Sequence, residues 1–156
     1  MSDPQAQPSY ADKVFSARVS AVQCVYQALM SEESIQDILR KHIDPEFTAN
    51  LHDSDDLKLI SPEKKLLSAI AQGVFERKND LMPVLEAHYQ KKNKTLEPLL
   101  VAILLCGAWE LLTQQDIDSP IIINDYLDVT HAFYEKNEVS LVNGMLDAMS
   151  SVLRQP

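Results

Sequence analysis

The feature that most constrains this chain is an unbroken apolar segment, residues 99–112, in which Glu110 is the single charged side chain. As an α-helix, this segment would span ~21 Å, which is too short for the ~30 Å hydrocarbon core of a membrane. A helix that is apolar on every side must instead be enclosed by other parts of the protein. The sequence therefore predicts a central buried helix near residues 96–113, with Pro98 in its first turn, where a missing N–H is tolerated.

Further helices are predicted on both sides of this central helix, because apolar residues recur there at spacings of three and four. They cover about residues 12–30, 33–42, 61–78 and 82–89, followed by the two helices of a hairpin within residues 119–154. Ser61 and Ser119 are each followed by a proline, the pattern of a capping residue and a first helical position. Residues 44–56 are acidic and lack periodicity, which indicates a solvated loop.

These patterns predict an all-α fold of about seven helices in two packed helical-bundle subdomains, near residues 12–89 and 96–154. Residues 1–11 hold little to bury and are expected to form a flexible N-terminal arm. The length of 156 residues fits one domain. Cys24 and Cys106 lie in apolar stretches and are expected to be buried free thiols. No export signal is recognised, so a cytoplasmic location is expected.

The charge of the chain limits how it could bind nucleic acid. A net charge of −9 repels phosphate, so any RNA contact must be local or depend on a basic partner. The basic run of Lys91, Lys92 and Lys94 is either a solvated linker or a phosphate-contacting loop. Asp125 and Asp128 share one face of a predicted helix and are expected to be solvated.

Sequence motifs for catalysis, cofactors and metals are absent. No nucleotide-binding or metalloprotease motif is found, and the four histidines lack the spacing of metal ligands. The sequence therefore predicts a protein that is not an enzyme and that needs neither a metal nor a cofactor.

Gly144 lies in the middle of a predicted helix, where it costs roughly 1 kcal/mol relative to alanine. One interpretation is that another helix packs closely there, while the neighbouring Asn143 faces the surface. The other is that Asn143 and Gly144 form a small polar notch on the helix, which a ligand can approach.

Three blocks of sequence, in order along the chain, carry a resemblance to a known family. They are Ala17-Arg18 with Ala21-Val22-Gln23 and Tyr26; Ala102-Ile103-Leu104 with Gly107-Ala108-Trp109-Glu110-Leu111; and Ile123-Asn124-Asp125 with Phe133 and Val142-Asn143-Gly144-Met145-Leu146-Asp147. Together they resemble the NusB family of transcription antitermination factors. The resemblance implies two packed helical subdomains and a binding protein rather than an enzyme.

The resemblance also implies partners and site residues. Family members bind the boxA element of ribosomal-RNA leader transcripts together with NusE, a small-subunit ribosomal protein, and act on the RNA polymerase elongation complex. Carried over to this chain, the RNA-binding positions are Lys13, Arg18, Gln23, His131, Phe133 and Asn143. Tyr26 is the corresponding partner-binding position.

The chain departs from the family where cations are expected. Val14, Phe15 and Ser16 stand in place of an arginine run, and Val101 and Leu105 stand at two positions that are usually basic. Each lost phosphate contact lowers the salt-dependent part of RNA affinity. Weak binding of boxA-type RNA by the protein alone, strengthened by NusE, is therefore predicted. The alternative is a NusB-like protein–protein adaptor with weakened or lost RNA binding.

An apolar stripe on the central helix raises a related question. Val101, Leu105, Ala108 and Leu112 follow one another at spacings of 4, 3 and 4. An uncovered stripe of this kind would mark an interaction surface, so Val101 and Leu105 are predicted to bind a protein partner or a second copy in a homodimer. The alternative is that the stripe is part of the core.

Overall fold

The computed structural model describes residues 7, 9–43, 62–89 and 95–154, and in these ranges the chain forms seven α-helices and no β-strand. The helices are α1 (Tyr10–Met30), α2 (Ile35–Ile43), α3 (Lys64–Glu76), α4 (Lys78–His88), α5 (Pro98–Thr113), α6 (Ser119–His131) and α7 (Lys136–Leu153). The predicted all-α fold is confirmed. Three predicted features lie outside the described residues: the loop at 44–56, the basic run at 91–94 and most of the arm at 1–11.

The apolar segment forms α5, and α5 lies at the centre of the fold. It contacts α1, α3, α4, α6 and α7. Its buried residues are Leu100, Ala102, Ile103, Leu104, Leu105, Cys106, Gly107, Ala108, Glu110 and Leu111. Because these occupy all sides of the helix, removing them from water is a main source of stability. The predicted central buried helix is confirmed. Among the described residues, no helix is long and apolar enough to cross a membrane.

Contacts between helices cross the predicted boundary between residues 12–89 and 96–154. α1 contacts α5 and α6, and α4 contacts α5 and α7 in addition to α3. Buried residues from all seven helices join one hydrophobic cluster. The two predicted halves therefore share a single core around α5.

Local capping chemistry sets where the first helices begin. Ser9 caps α1: its hydroxyl accepts from the Asp12 N–H at 3.1 Å, and the Asp12 carboxylate accepts from the Ser9 N–H at 3.2 Å. This capping box starts α1 at Tyr10, inside the predicted arm. α3 is capped by Glu63, whose carboxylate accepts from the N–H groups of Lys65 and Leu66. The prediction of a helix start near residue 61 is corrected to Lys64.

The break between α3 and α4 falls at Arg77, whereas two helices were predicted at 61–78 and 82–89. Pro83 lies inside α4, in its second turn, instead of near a helix start. Leu81 and Leu85 are the buried residues of α4. They lie on both sides of the proline, so tertiary packing holds the helix together across it.

Close approach between helices occurs at Gly73 of α3, and Gly144 of α7 is not such a point. A Cβ atom added to Gly73 would lie 2.2 Å from the ring of Trp109, which α5 presents to α3. A Cβ atom added to Gly144 would meet nothing within 4 Å. The interpretation of Gly144 as a close-packing residue is therefore wrong, because its Cα faces open space on an exposed side of α7.

Arg154, directly after α7, ties the end of the chain's last helix to the end of α5. Its guanidinium donates to the carbonyl oxygens of Leu111 at 2.7 Å, Gln114 at 2.7 Å and Ile117 at 2.6 Å. The last carbonyls of a helix have no partner within the helix, so these bonds stabilise the carboxyl end of α5 and the loop that follows.

Candidate nucleic-acid and partner interface

A buried ionic network joins α1, α5 and α6 next to the predicted RNA-binding surface. The Arg18 guanidinium donates twice to the Glu110 carboxylate, through Nε at 2.9 Å and Nη2 at 3.0 Å. The Tyr126 hydroxyl donates to the same carboxylate. Asp125 lies 3.4 Å from Nη1 of Arg18, and the guanidinium lies 5.8 Å from the centre of the Tyr126 ring. One arginine thus links three helices.

The network is buried, so the stability of the fold depends on its charges and polar groups being paired. The Arg18 side chain is 13% exposed and that of Glu110 is 2% exposed. Burial alone would lower the pKa of Arg18, but the hydrogen bonds and negative charge of Glu110 raise that pKa overall. Burial, followed by the charge of Glu110, raises the pKa of Tyr126 well above its usual value. Arg18 therefore stays charged and the Tyr126 phenol stays neutral, and both donate hydrogen bonds to Glu110 in a region of low dielectric.

In this network Arg18 forms an ion pair within the protein, whereas the sequence predicted that it contacts RNA. Both donor edges of its guanidinium face carboxylates inside the protein, so little of the side chain is available to a phosphate group. This placement argues against the predicted contact between Arg18 and RNA. The sequence did hold a signal for the network, since a lone charge in an apolar helix requires a buried partner of opposite charge.

The other predicted RNA-binding residues lie on the surface but not in one cluster. Gln23, His131 and Asn143 are exposed, while Lys13 and Phe133 are partly buried. His131 ends α6 and Phe133 lies in the turn that leads to α7, the helix that carries Asn143. Within the described residues α1 and α7 are not packed against each other, so Gln23 and Asn143 lie on helices that are not direct neighbours.

The two residues of the predicted polar notch are both accessible. Asn143 and Gly144 are exposed on α7, between the buried residues Val142 and Met145. No residue in the described part of the chain packs against the position that a Cβ atom of residue 144 would take. The chain therefore leaves a gap on this helix face that a bound molecule can approach closely.

The predicted partner surface on α5 is mostly core. Leu105 and Ala108 are fully buried, and Val101 and Leu112 pack against the core with partial exposure. The prediction that Leu105 contacts a partner is corrected, because neighbouring helices cover that face of α5. Tyr26 on α1 remains accessible, with 37% exposure.

A cleft of about 410 Å³ lies between the start of α1 and α6. It is lined by Tyr10, Ala11, Val14, Phe15, Arg18, Asp125 and Asp128. Tyr10 is 73% exposed and Phe15 is 39% exposed. The cleft thus combines two accessible aromatic rings with two aspartates. It lies where the family resemblance led us to expect arginines.

Neither metal binding nor thiol chemistry has a candidate centre in the described residues. No group of three or more His, Cys, Asp or Glu side chains there could hold a metal ion. Cys24 and Cys106 are free and buried, as predicted. Burial raises the pKa of Cys24 to about 12 and that of Cys106 well above its usual value. Both thiols therefore remain protonated and unreactive.

Comparisons with known proteins agree with the fold and with the sequence blocks. The NusB family model matches residues 16–151. The transcription antitermination protein NusB of Novosphingobium aromaticivorans is 30% identical over 141 residues, covering 89% of this chain and 93% of that protein. The protein of the same name from Bartonella quintana is 30% identical over 149 residues, covering 94% of each chain.

A solved structure supports the same fold. T. maritima NusB superimposes with a TM-score of 0.70 at 18% identity, covering 94% of this chain and 93% of that one. The family match extends over almost all of the described helices, including the network and the Asn143–Gly144 pair. The chain therefore belongs to the NusB family of transcription antitermination factors.

Proposed function

We propose that this protein acts in antitermination by binding boxA-type RNA of ribosomal-RNA leaders as a complex with NusE, and that it binds this RNA weakly by itself. The complex would join the RNA polymerase elongation complex in the cytoplasm. Tyr26 on the exposed side of α1 and Asn143 on α7 are the residues we assign to partner and RNA contacts.

The exposed Asn143–Gly144 pair carries this proposal. A glycine within a helix costs roughly 1 kcal/mol relative to alanine, and at position 144 no contact with the described residues offsets that cost. The neighbouring amide can both donate and accept hydrogen bonds, as the edge of an RNA base requires. A glycine without a packing role beside an accessible amide supports close approach of a ligand.

The scarcity of available cations supports the dependence on NusE. The chain carries a net charge of −9, and its Arg18 is held by Glu110. Val14, Phe15 and Ser16 supply no cations at the start of α1. Because phosphate contacts provide most of the nonspecific affinity for RNA, a partner must supply positive charge.

The test is to measure binding of a boxA-type RNA oligonucleotide with and without NusE over a series of salt concentrations. The protein alone should bind weakly, and NusE should strengthen binding markedly. Asn143→Ala should weaken the ternary complex by about 5- to 100-fold, the effect of losing one base-edge contact. Ser151→Ala, an exposed change on the same helix, is the matched control and should have no effect.

Tight RNA binding by the protein alone at physiological salt, unchanged by Asn143→Ala, would refute the proposal. The second candidate function is a protein–protein adaptor with weakened or lost RNA binding, and the acidic character of the α1–α6 cleft favours it. Absence of RNA binding even with NusE would establish that alternative. Because Leu105 is core, the structure offers no support for a homodimer through α5.

A further inference from the structure

The α1–α6 cleft has an unbalanced negative charge. Of its lining residues, Arg18 is positive, but Glu110 behind it already neutralises that charge through two hydrogen bonds. Asp125 and Asp128 then leave the cleft negative. Asp125 is 35% exposed, and Asp128 is exposed and makes no ion pair or hydrogen bond through its side chain within the described residues. A cation entering the cleft would be attracted by both carboxylates.

The electrostatic state of Asp125 supports this picture. Burial raises its pKa, the charge of Arg18 opposes that rise, and the charges of Glu110 and Asp128 add to it. The carboxylate is thus partly desolvated and only partly compensated. A second cation at this position would stabilise its ionised form.

The aromatic rings at the mouth of the cleft favour a guanidinium over an ammonium as the bound cation. Tyr10 and Phe15 both line the cleft, and their side chains are 73% and 39% exposed. A planar guanidinium can stack on an aromatic face and bind a carboxylate through its donor edge at once, which a hydrated ammonium does less well. Phosphate groups would be repelled by the same two aspartates.

We propose that this cleft binds an arginine side chain from a basic segment of a protein partner. The carboxylates of Asp125 and Asp128 would accept from the guanidinium, while Phe15 and Tyr10 would cover its faces. The volume of about 410 Å³ and the open aromatic rim suit one side chain with its flanking backbone. This inference does not depend on whether the chain binds RNA.

The test uses the full-length protein and a fluorescein-labelled peptide that presents Arg-Leu-Arg between glycine and serine residues, with binding followed by fluorescence anisotropy. An identical peptide with citrulline in place of arginine keeps the shape and removes the charge. The citrulline peptide should bind at least about tenfold more weakly. Asp128→Asn and Phe15→Ala should each weaken binding of the arginine peptide by about three- to fivefold.

Asp147→Asn is the matched control, since Asp147 is an exposed aspartate on α7 outside the cleft. It should change the peptide affinity by less than about twofold. Equal effects of Asp128→Asn and Asp147→Asn would overturn the proposal, because the peptide would then respond only to the overall negative charge. Circular dichroism of each variant verifies folding, and Asp128→Asn, at an exposed position, keeps the test decisive if Phe15→Ala unfolds.

A boxA-type RNA oligonucleotide provides the second arm of the experiment. If the cleft takes arginine, the RNA should fail to displace the peptide, and Asp128→Asn should not weaken RNA binding. Displacement of the peptide by RNA, together with loss of RNA binding in Phe15→Ala, would assign the cleft to RNA and overturn the proposal. Failure of the Asn143→Ala test would leave these results unaffected, so the two hypotheses are separable.

Discussion

At the scale of single residues, the pairing of Arg18 with Glu110 is the most consequential contact in the protein. The two side chains are separated by 92 positions in sequence and fix the relative placement of α1 and α5. Desolvation makes such a pair expensive to form, so its net contribution to stability is small, whereas breaking it leaves an unpaired charge in the core. Losing one partner of this pair is therefore expected to cost far more stability than forming the pair contributes.

We expect Arg18→Ala to lower the free energy of unfolding by about 3–5 kcal/mol, because Glu110 would remain buried without its cation. Replacing the buried part of the network by Arg18→Met, Glu110→Met and Tyr126→Phe should restore most of this loss, since only Asp125, which is 35% exposed to water, would lose its cation. Urea denaturation followed by circular dichroism measures both. A loss below about 1 kcal/mol in Arg18→Ala would show that solvent reaches Glu110.

The two cysteines provide a second prediction at this scale. Burial raises the pKa of Cys24 to about 12, so the folded protein has far less thiolate at that position than a free thiol would have. A thiol-reactive disulfide reagent at pH 8 should therefore modify neither Cys24 nor Cys106 until the protein is unfolded. Stoichiometric labelling in guanidinium chloride is the control, and rapid labelling of the native protein would contradict their burial.

At the scale of helices, two glycines in similar sequence settings have opposite roles. Gly73 allows α3 to lie against the ring of Trp109 on α5, while Gly144 lies on an open face of α7. Helix propensity disfavours both glycines by roughly 1 kcal/mol. Only at Gly73 does packing between helices offset this penalty within the chain.

The same substitution should therefore change stability in opposite directions. Gly73→Ala should lower the free energy of unfolding by about 1–3 kcal/mol, because its Cβ would collide with the indole. Gly144→Ala should raise it by about 0.5–1 kcal/mol through helix propensity. Chemical denaturation of the two variants side by side is the measurement. A stabilised Gly73→Ala variant would mean that Trp109 moves aside freely, which its fluorescence would reveal.

These elements show what the sequence could and could not predict. The central position of α5 was predictable, because a helix that is apolar on every side must be enclosed by other helices. The start of α3 was missed because Ser61-Pro62 matched a capping pattern, whereas the carboxylate of Glu63 caps the helix. The role of a helical glycine depends on what the neighbouring helix places opposite it. That partner cannot be read from local spacing.

The candidate site was predictable to a similar degree. The exposure of Asn143 followed from its position beside an apolar stripe, and the resemblance led to the correct family. The ion pair between Arg18 and Glu110 was missed. Arg18 was assigned to the surface because of the family motif, and no partner was sought for the charge of Glu110. Long-range pairs of this kind require the packing of α1 on α5, which periodicity within each helix does not specify.

At the scale of the whole molecule, the shared core around α5 determines how the protein unfolds. Helices from both predicted subdomains contribute to one hydrophobic cluster, and α5 contacts members of both groups. Separating the halves would expose to water the sides of α5 that α1, α3 and α4 cover. The subdomains therefore should not be independently stable.

We accordingly expect a single cooperative unfolding transition. Fluorescence of Trp109, the one tryptophan in the sequence, reports on the α3–α5 contact, while circular dichroism reports on all helices. The two signals should change at the same denaturant concentration, as two-state unfolding requires. Two separate transitions would instead show that the halves are distinct folding units.

The three hydrogen bonds that Arg154 donates to the end of α5 and the loop after it can form only late in synthesis of the chain. Translation produces Leu111 first and reaches Arg154 only 43 residues later, which at about 5–20 residues per second takes roughly 2–9 s. Throughout that interval the carbonyl groups at the end of α5 lack the guanidinium that later binds them. In a nascent chain at this stage α6 and α7 are incomplete, so the sides of α5 that they cover in the folded protein have no partner, and capture by a chaperone would protect them.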